Sequence, residues 1–327
     1  MELTYETWVR KHLRRSFSSI GWILVIYYLI MNAAVFLTVF VEIIVKLMSG
    51  LASGEFPDIL AVAEQASGNA WGYFLAAVIG ILVLLLWKKR SFWRDEIWAK
   101  GKPMKTGSFF AILAVFLSGQ LVYQFVTILL ELLLNACGLT MVEGLNAMTG
   151  DMTSFSMFFY TGILAPIVEE ILFRGLIQRT LLPYGKKFAI FCSAFTFGLF
   201  HGNLLQSPYA FLVGLVLGYV ACEYSIGWAM VLHMVNNLVV ADMLTRLTWG
   251  LPETTAAMLI WVIIAAFSLA AVIILIVKRR QISAYLQSDR IDPLCMKCFF
   301  SCAGIITLMV LMAMNMVIMC FMMITPM

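Results

Sequence analysis

Charge is what this chain has least of. Lys and Arg number 22 and Asp and Glu 18 in 327 residues, 12% together, where a soluble domain carries about 25%. So few charges cannot coat a surface in water, and hydrophobic residues reach 62%. Histidine is scarcer still: His12, His201 and His233 are the only three. No H-E-x-x-H helix is present, which excludes the commonest zinc-peptidase pattern. No internal repeat is visible, which weakens a reading as a transporter built from inverted halves. No basic face interleaved with exposed aromatics accompanies the net charge of +4, so no nucleic-acid partner is expected. The seven cysteines form no disulfide framework. The C-x-x-C-x-x-x-C run at 295–302 lacks a fourth ligand, so free or lipid-modified thiols are expected there.

Long apolar runs are what the chain has in abundance. Many exceed the ~20 residues that cross a bilayer as a helix, and in lipid only a helix or a closed barrel satisfies the backbone. The fold class expected is all-α, a polytopic transmembrane bundle of about eight to nine spans. The candidates lie near 19–48, 69–87, 108–136, 154–182, 188–203, 207–224, 227–246, 256–277 and 297–324. They divide into N-terminal helices (1–153), a core bearing most of the polar residues (154–246) and C-terminal helices (247–327). The first run is too long for a signal peptide, whose apolar stretch is about 7–15 residues, and reads as a retained span. Basic residues alternate between connections. Residues 88–105 hold seven, whereas 49–68 and 137–153 hold none. The positive-inside rule puts the N-terminus in the cytoplasm and, with nine spans, the C-terminus outside. The ninth span is Met-rich and reads as packing.

Ionisable groups in such spans are costly and mark function. Glu169, Glu170, Arg174, His201, His233, Asn236 and Asn237 are all placed there. Glu170 and Arg174 are four apart and share a helix face, so each neutralises the other. Glu169 points about 100° away and is left for another role, that of general base. Gly185 lies 16 residues after Glu169 and 16 before His201. A turn at Gly185 would set those two side by side, able to hold and deprotonate one water. His233 and Asn237 share a face, roughly 10 Å from the basic end by helical rise, against roughly 15 Å for Glu169. They suit donation to a developing oxyanion. A purely structural ion pair is the plainer reading of Glu170 and Arg174, and Phe197 is expected only to pack against His201.

The set Glu169-Glu170-x-x-x-Arg174, Phe197-x-x-x-His201 and His233-x-x-x-Asn237 resembles the signature of the CAAX proteases and bacteriocin-processing enzymes, the CPBP or Abi family. The resemblance covers about 154–245. It implies an intramembrane endopeptidase acting on membrane-associated proteins or peptides, either CAAX-type or bacteriocin- and signal-peptide-like. Glu169 and His201 would activate water, His233 and Asn237 would hold the oxyanion, and Glu170 and Arg174 would form a structural pair beside them. A mechanism without a metal is the expectation. The alternative is a zinc site of Glu169, His201 and His233 with an open position. Two further readings stand beside the protease. One is a non-proteolytic immunity or binding protein of the same fold; the other is a transporter with a Glu–His proton relay.

Overall fold

The computed structural model describes residues 5–142, 144, 154–239, 247–248 and 250–326. Its helices are α1 (Tyr5–Ser53), α2 (Ile59–Ser67), α3 (Trp71–Trp87), α4 (Thr106–Leu117), α5 (Gln120–Asn135), α6 (Phe155–Tyr184), α7 (Lys186–Phe200), α8 (Gln206–Glu223), α9 (Ile226–Asn236), α10 (Glu253–Gln287), α11 (Pro293–Phe300) and α12 (Ala303–Met323). Strands β1 (Leu139–Thr140) and β2 (Thr325–Pro326) pair antiparallel, Leu139 opposite Pro326.

Among the described residues, five helical stretches are long and apolar enough to cross a membrane: α1, α4 with α5, α6, α10 and α12. The pair α2–α3, bent by 50°, makes a sixth if it is one span. Their outer faces are apolar and bare: Phe36 is 71% exposed, Leu86 87% and Phe321 78%. Such patches on every side would aggregate in water and suit lipid. The chain is a mostly helical integral membrane protein in this sense. Helices stand where the spans at 188–203, 207–224 and 227–246 are expected, as α7, α8 and α9, but none of the three is among those long and apolar enough to cross a membrane, and 240–246 lies outside the described residues. The reason is their position. These helices lie in the interior, where neighbouring side chains and not lipid set the required length and apolarity. The ninth expected span also starts later, at Ala303, because α11 is a separate short helix ending at Ser301. Its Cys295 and Cys298, with Cys302 just beyond, are buried free thiols, which leaves them closed to lipid modification in this conformation.

The inner face of α1 shows why it packs. Leu13, Phe17, Ile20, Leu24 and Tyr27 recur every three or four residues and are all buried, the stripe of a core-facing helix. At Gly21 this face meets Gly304 of α12 backbone to backbone, and a Cβ on either would collide with the other chain segment. Small residues at a crossing let membrane helices approach this closely.

Contacts sort the connections to two ends. At one end Arg14 Nη2 donates to Ser301 Oγ (3.0 Å) and Tyr184 OH to Ser16 Oγ (3.4 Å). Glu223 there accepts from Lys102 (3.1 Å) and Lys186 (2.8 Å), and Lys187 Nζ donates to the carbonyls of Leu286 and Asp289. At the other end Ser154 Oγ donates to Gly68 O (3.0 Å), β1 pairs with β2, and Met141, Leu205 and Met323 pack together. The strongly basic connections therefore share one end.

Candidate functional site

Helix α6 is irregular where its chemistry is concentrated. A π-helical turn at Tyr160–Leu164 and a longer one at Ile171–Gln178 flank a regular segment, Ala165–Glu170. Such π-turns recur at functional sites because they redirect side chains and free carbonyls. The first has a local cause. Ala165 N–H bonds to Tyr160 O, and the next π bond would run from residue 166 to Thr161 O. Residue 166 is proline and has no N–H. The Thr161 carbonyl is instead met by Asn237 Nδ2 at 2.8 Å.

The regular segment delivers Glu169 and Glu170 to different surroundings. Glu170 is fully buried, as is Arg174, whose Nη1 donates to Glu170 Oε1 at 3.0 Å. Arg174 Nη2 donates to Gly214 O at 3.3 Å, and one turn on Gln178 Nε2 donates to Gly218 O at 2.8 Å. The guanidinium also lies over the Phe197 ring, 4.2 Å from its centre, a favourable cation–π placement. A charge so deep is tolerable only when paired in this way. Glu169, by contrast, keeps a third of its side chain exposed.

The α6–α7 hairpin turns at Gly185, whose φ of +120° suits glycine. The expected register about this turn is present. Phe173 and Phe197, each 12 residues from Gly185, meet edge to face at 5.1 Å, and Ser193 Oγ donates to Phe173 O at 2.8 Å. His201 follows the last turn of α7. Its Nδ1 bonds to Phe197 O at 2.8 Å and its ring stands edge-on to Phe197 at 4.7 Å. With Nδ1–H so committed, Nε2 is left as an acceptor.

Helix α9 starts at an N-cap, Ser225 Oγ accepting from Trp228 N–H (3.3 Å), and carries His233 between the two carboxylates. His233 Nδ1 lies 2.9 Å from Glu170 Oε1, and Nε2 lies 3.6 Å from Glu169 Oε2. Its ring is perpendicular to Phe197 at 5.7 Å. Asn237 Oδ1 accepts from Asn236 Nδ2 at 3.1 Å; Asn236 Oδ1 accepts from Tyr209 OH at 2.8 Å, which accepts from Gln120 Nε2 at 2.9 Å. A polar chain thus runs from α5 through α8 and α9 to α6.

All six sequence-selected residues lie in this one neighbourhood, with two departures from the expected pairing. Glu169 makes its closest ionic contact with His233, and no hydrogen bond joins it directly to His201. Glu170 is shared between Arg174 and His233, so it is more than half of an intrahelical pair. Asn237, expected to donate to the oxyanion, already spends one amide hydrogen on Thr161. Phe197 is also more than a neighbour of His201: its ring touches Arg174, His201 and His233 together. Sequence spacing missed Thr161, Tyr209 and Gln120; only the proline five residues after Thr161 hints at a carbonyl in need of a donor. As for zinc, no three His, Cys, Asp or Glu side chains converge as a ligand set among the described residues.

Residues 151–239, under a third of the chain, match the family model described as Type II CAAX prenyl endopeptidase Rce1-like. The matched stretch holds all six residues and supports the CAAX protease family for this segment. No curated protein and no solved structure matches the chain.

Proposed function

We propose, with that family match as premise, that this protein is an intramembrane endopeptidase of the CAAX type. It hydrolyses a peptide bond in a membrane-associated protein or peptide, with a prenylated CAAX-type segment as the first substrate class to try. The observation that carries the reading is His233 held between Glu170, buried and charge-paired, and Glu169, accessible.

In this mechanism Glu169 is the general base, with His201 Nε2 accepting the water's second hydrogen. The two residues make no direct bond, as a water held between them requires. The water oxygen attacks the scissile carbonyl carbon while Glu169 takes a proton. His233 Nε2–H and the second amide hydrogen of Asn237 donate to the oxyanion. As the intermediate collapses, the C–N bond breaks and Glu169 passes its proton to the departing amine. Glu170 and Arg174 orient His233 and hold it at depth. No step requires a metal.

The basic end is assigned to the cytoplasm by its lysines and arginines. The three short helices then complete nine passes inside the bundle.

The test is a quenched-fluorescent farnesylated CAAX peptide with the full chain in lipid nanodiscs. Cleavage by wild type at one bond, and none by Glu169→Gln at equal abundance, supports the proposal. Should the peptide stay intact, N- and C-terminomics of cells expressing the two forms extends the test to peptide precursors. Matching termini there would remove the enzyme reading and favour a non-proteolytic binding protein.

A further inference from the structure

The turn that carries the backbone away from His201 is fastened by residues outside the matched segment. Gly202 has φ +57°, the left-handed region that glycine enters without penalty. Its carbonyl accepts from Asn315 Nδ2 at 3.0 Å, and Asn315 Oδ1 accepts from Tyr28 OH at 3.1 Å. The Tyr28 ring stands edge-on to Phe200 at 6.2 Å, and Phe200 stands edge-on to Phe173 at 5.6 Å. The residues on both sides of His201 are thus tied, Phe200 to α1 by its ring and Gly202 to α12 by its carbonyl. A Cβ at Gly202 would run into Asn315 Nδ2.

Asn315 is the one amide side chain in the apolar run of α12. An amide among apolar groups is costly unless its oxygen and nitrogen are both engaged. Here both are, and they join three separate parts of the chain. Holding α12 in place does not need this link, because Gly304 already meets α1 at Gly21, and Ile305, Leu308 and Met312 are fully buried.

We infer that Asn315 is a positioning residue: with Tyr28 it fixes the Phe200–Gly202 turn and so aims the His201 imidazole at the water-binding side of Glu169. The bond from His201 Nδ1 to Phe197 O sets the ring relative to its own helix. The Asn315 link sets that end of the helix relative to the rest of the site. This inference rests on the endopeptidase reading.

Two variants of the full chain in nanodiscs test it. Asn315→Leu removes both bonds at similar size. Tyr28→Phe removes only the hydroxyl and leaves its ring on Phe200. On the farnesylated peptide, kcat is expected to fall on the order of 10- to 100-fold for Asn315→Leu, and less for Tyr28→Phe, with KM within about twofold and thermal unfolding little changed. Hydrogen exchange at residues 200–205 is expected to rise in the same order. A kcat for Asn315→Leu within about twofold of wild type overturns the inference. So does a loss carried wholly by KM, or unchanged exchange at 200–205. If wild type itself cleaves nothing, the endopeptidase reading fails separately, and the exchange experiment still decides whether Asn315 holds the turn.

Discussion

His233 and Arg174 converge on a single oxygen: Glu170 Oε1 lies 2.9 Å from the imidazole Nδ1 and 3.0 Å from the guanidinium Nη1. A carboxylate fully shielded from solvent thus links the ion pair within α6 to a histidine from α9. Its geometry separates the two adjacent glutamates by task, and the substitutions below follow from that separation.

Glu169→Gln keeps the shape and removes the base. Cleavage is expected to fall by about 10²- to 10⁴-fold, with the melting temperature in detergent close to that of wild type. Rates on the farnesylated peptide and a thermal scan check both halves. Activity within about twofold of wild type would take the base away from Glu169.

Glu170→Gln is expected to show the opposite balance. It leaves Arg174 buried without its counter-charge, and breaking a buried pair costs about 3–5 kcal/mol. A lower unfolding temperature and a slower kcat should appear together. If Glu170→Gln melts with wild type, the pair contributes little and the shared oxygen is incidental.

Phe197→Ala removes the ring on which Arg174, His201 and His233 all rest. Truncation of a buried phenylalanine costs about 3–5 kcal/mol, and the loss of activity should exceed that of a core phenylalanine remote from the site. Phe188→Ala is the comparison, since Phe188 packs with Phe17 and Phe299. Equal losses in the two would reduce Phe197 to packing.

Incubation with EDTA or 1,10-phenanthroline is expected to leave the rate of peptide cleavage unchanged. Inactivation by chelator, reversed by added zinc, would overturn the metal-free mechanism.

Cys137 is exposed at the end that carries β1, whereas Cys295, Cys298 and Cys302 are buried at the basic end. A membrane-impermeant maleimide added to intact cells is expected to label Cys137 first, and Cys137→Ser to lose most of that labelling. Labelling only after the membrane is opened would invert the proposed orientation.

Much of this arrangement was legible in the sequence. The helical class follows from apolar runs that only helices can carry through lipid. The Glu169, His201 and Gly185 spacing places two helices in register, as the Phe173–Phe197 contact bears out. The partner of each polar group was not legible, because pairing between helices depends on rotations that spacing along one helix leaves free. Glu170 is the example: i, i+4 spacing finds Arg174, but nothing along α6 points to His233. Helices α7 and α8 lie within three residues of the expected 188–203 and 207–224, and what spacing does not give is that their faces are taken up by neighbouring helices, with buried residues along both. Asn315 was passed over in a methionine-rich run although it was the one residue there with no apolar use.

The hairpin at Gly185 also works as a ruler. Glu169 and His201 lie at equal distances from a single turn, and their relative height is set by counting residues on either side. One residue added within α7 would swing His201 by about 100° and shift it by about 1.5 Å, putting it out of step with Glu169. A residue added after Ser53, between α1 and α2, leaves that count untouched. Length variation in this chain is therefore tolerable at its periphery and forbidden across the 33 positions from Glu169 to His201, unless both arms of the hairpin change together.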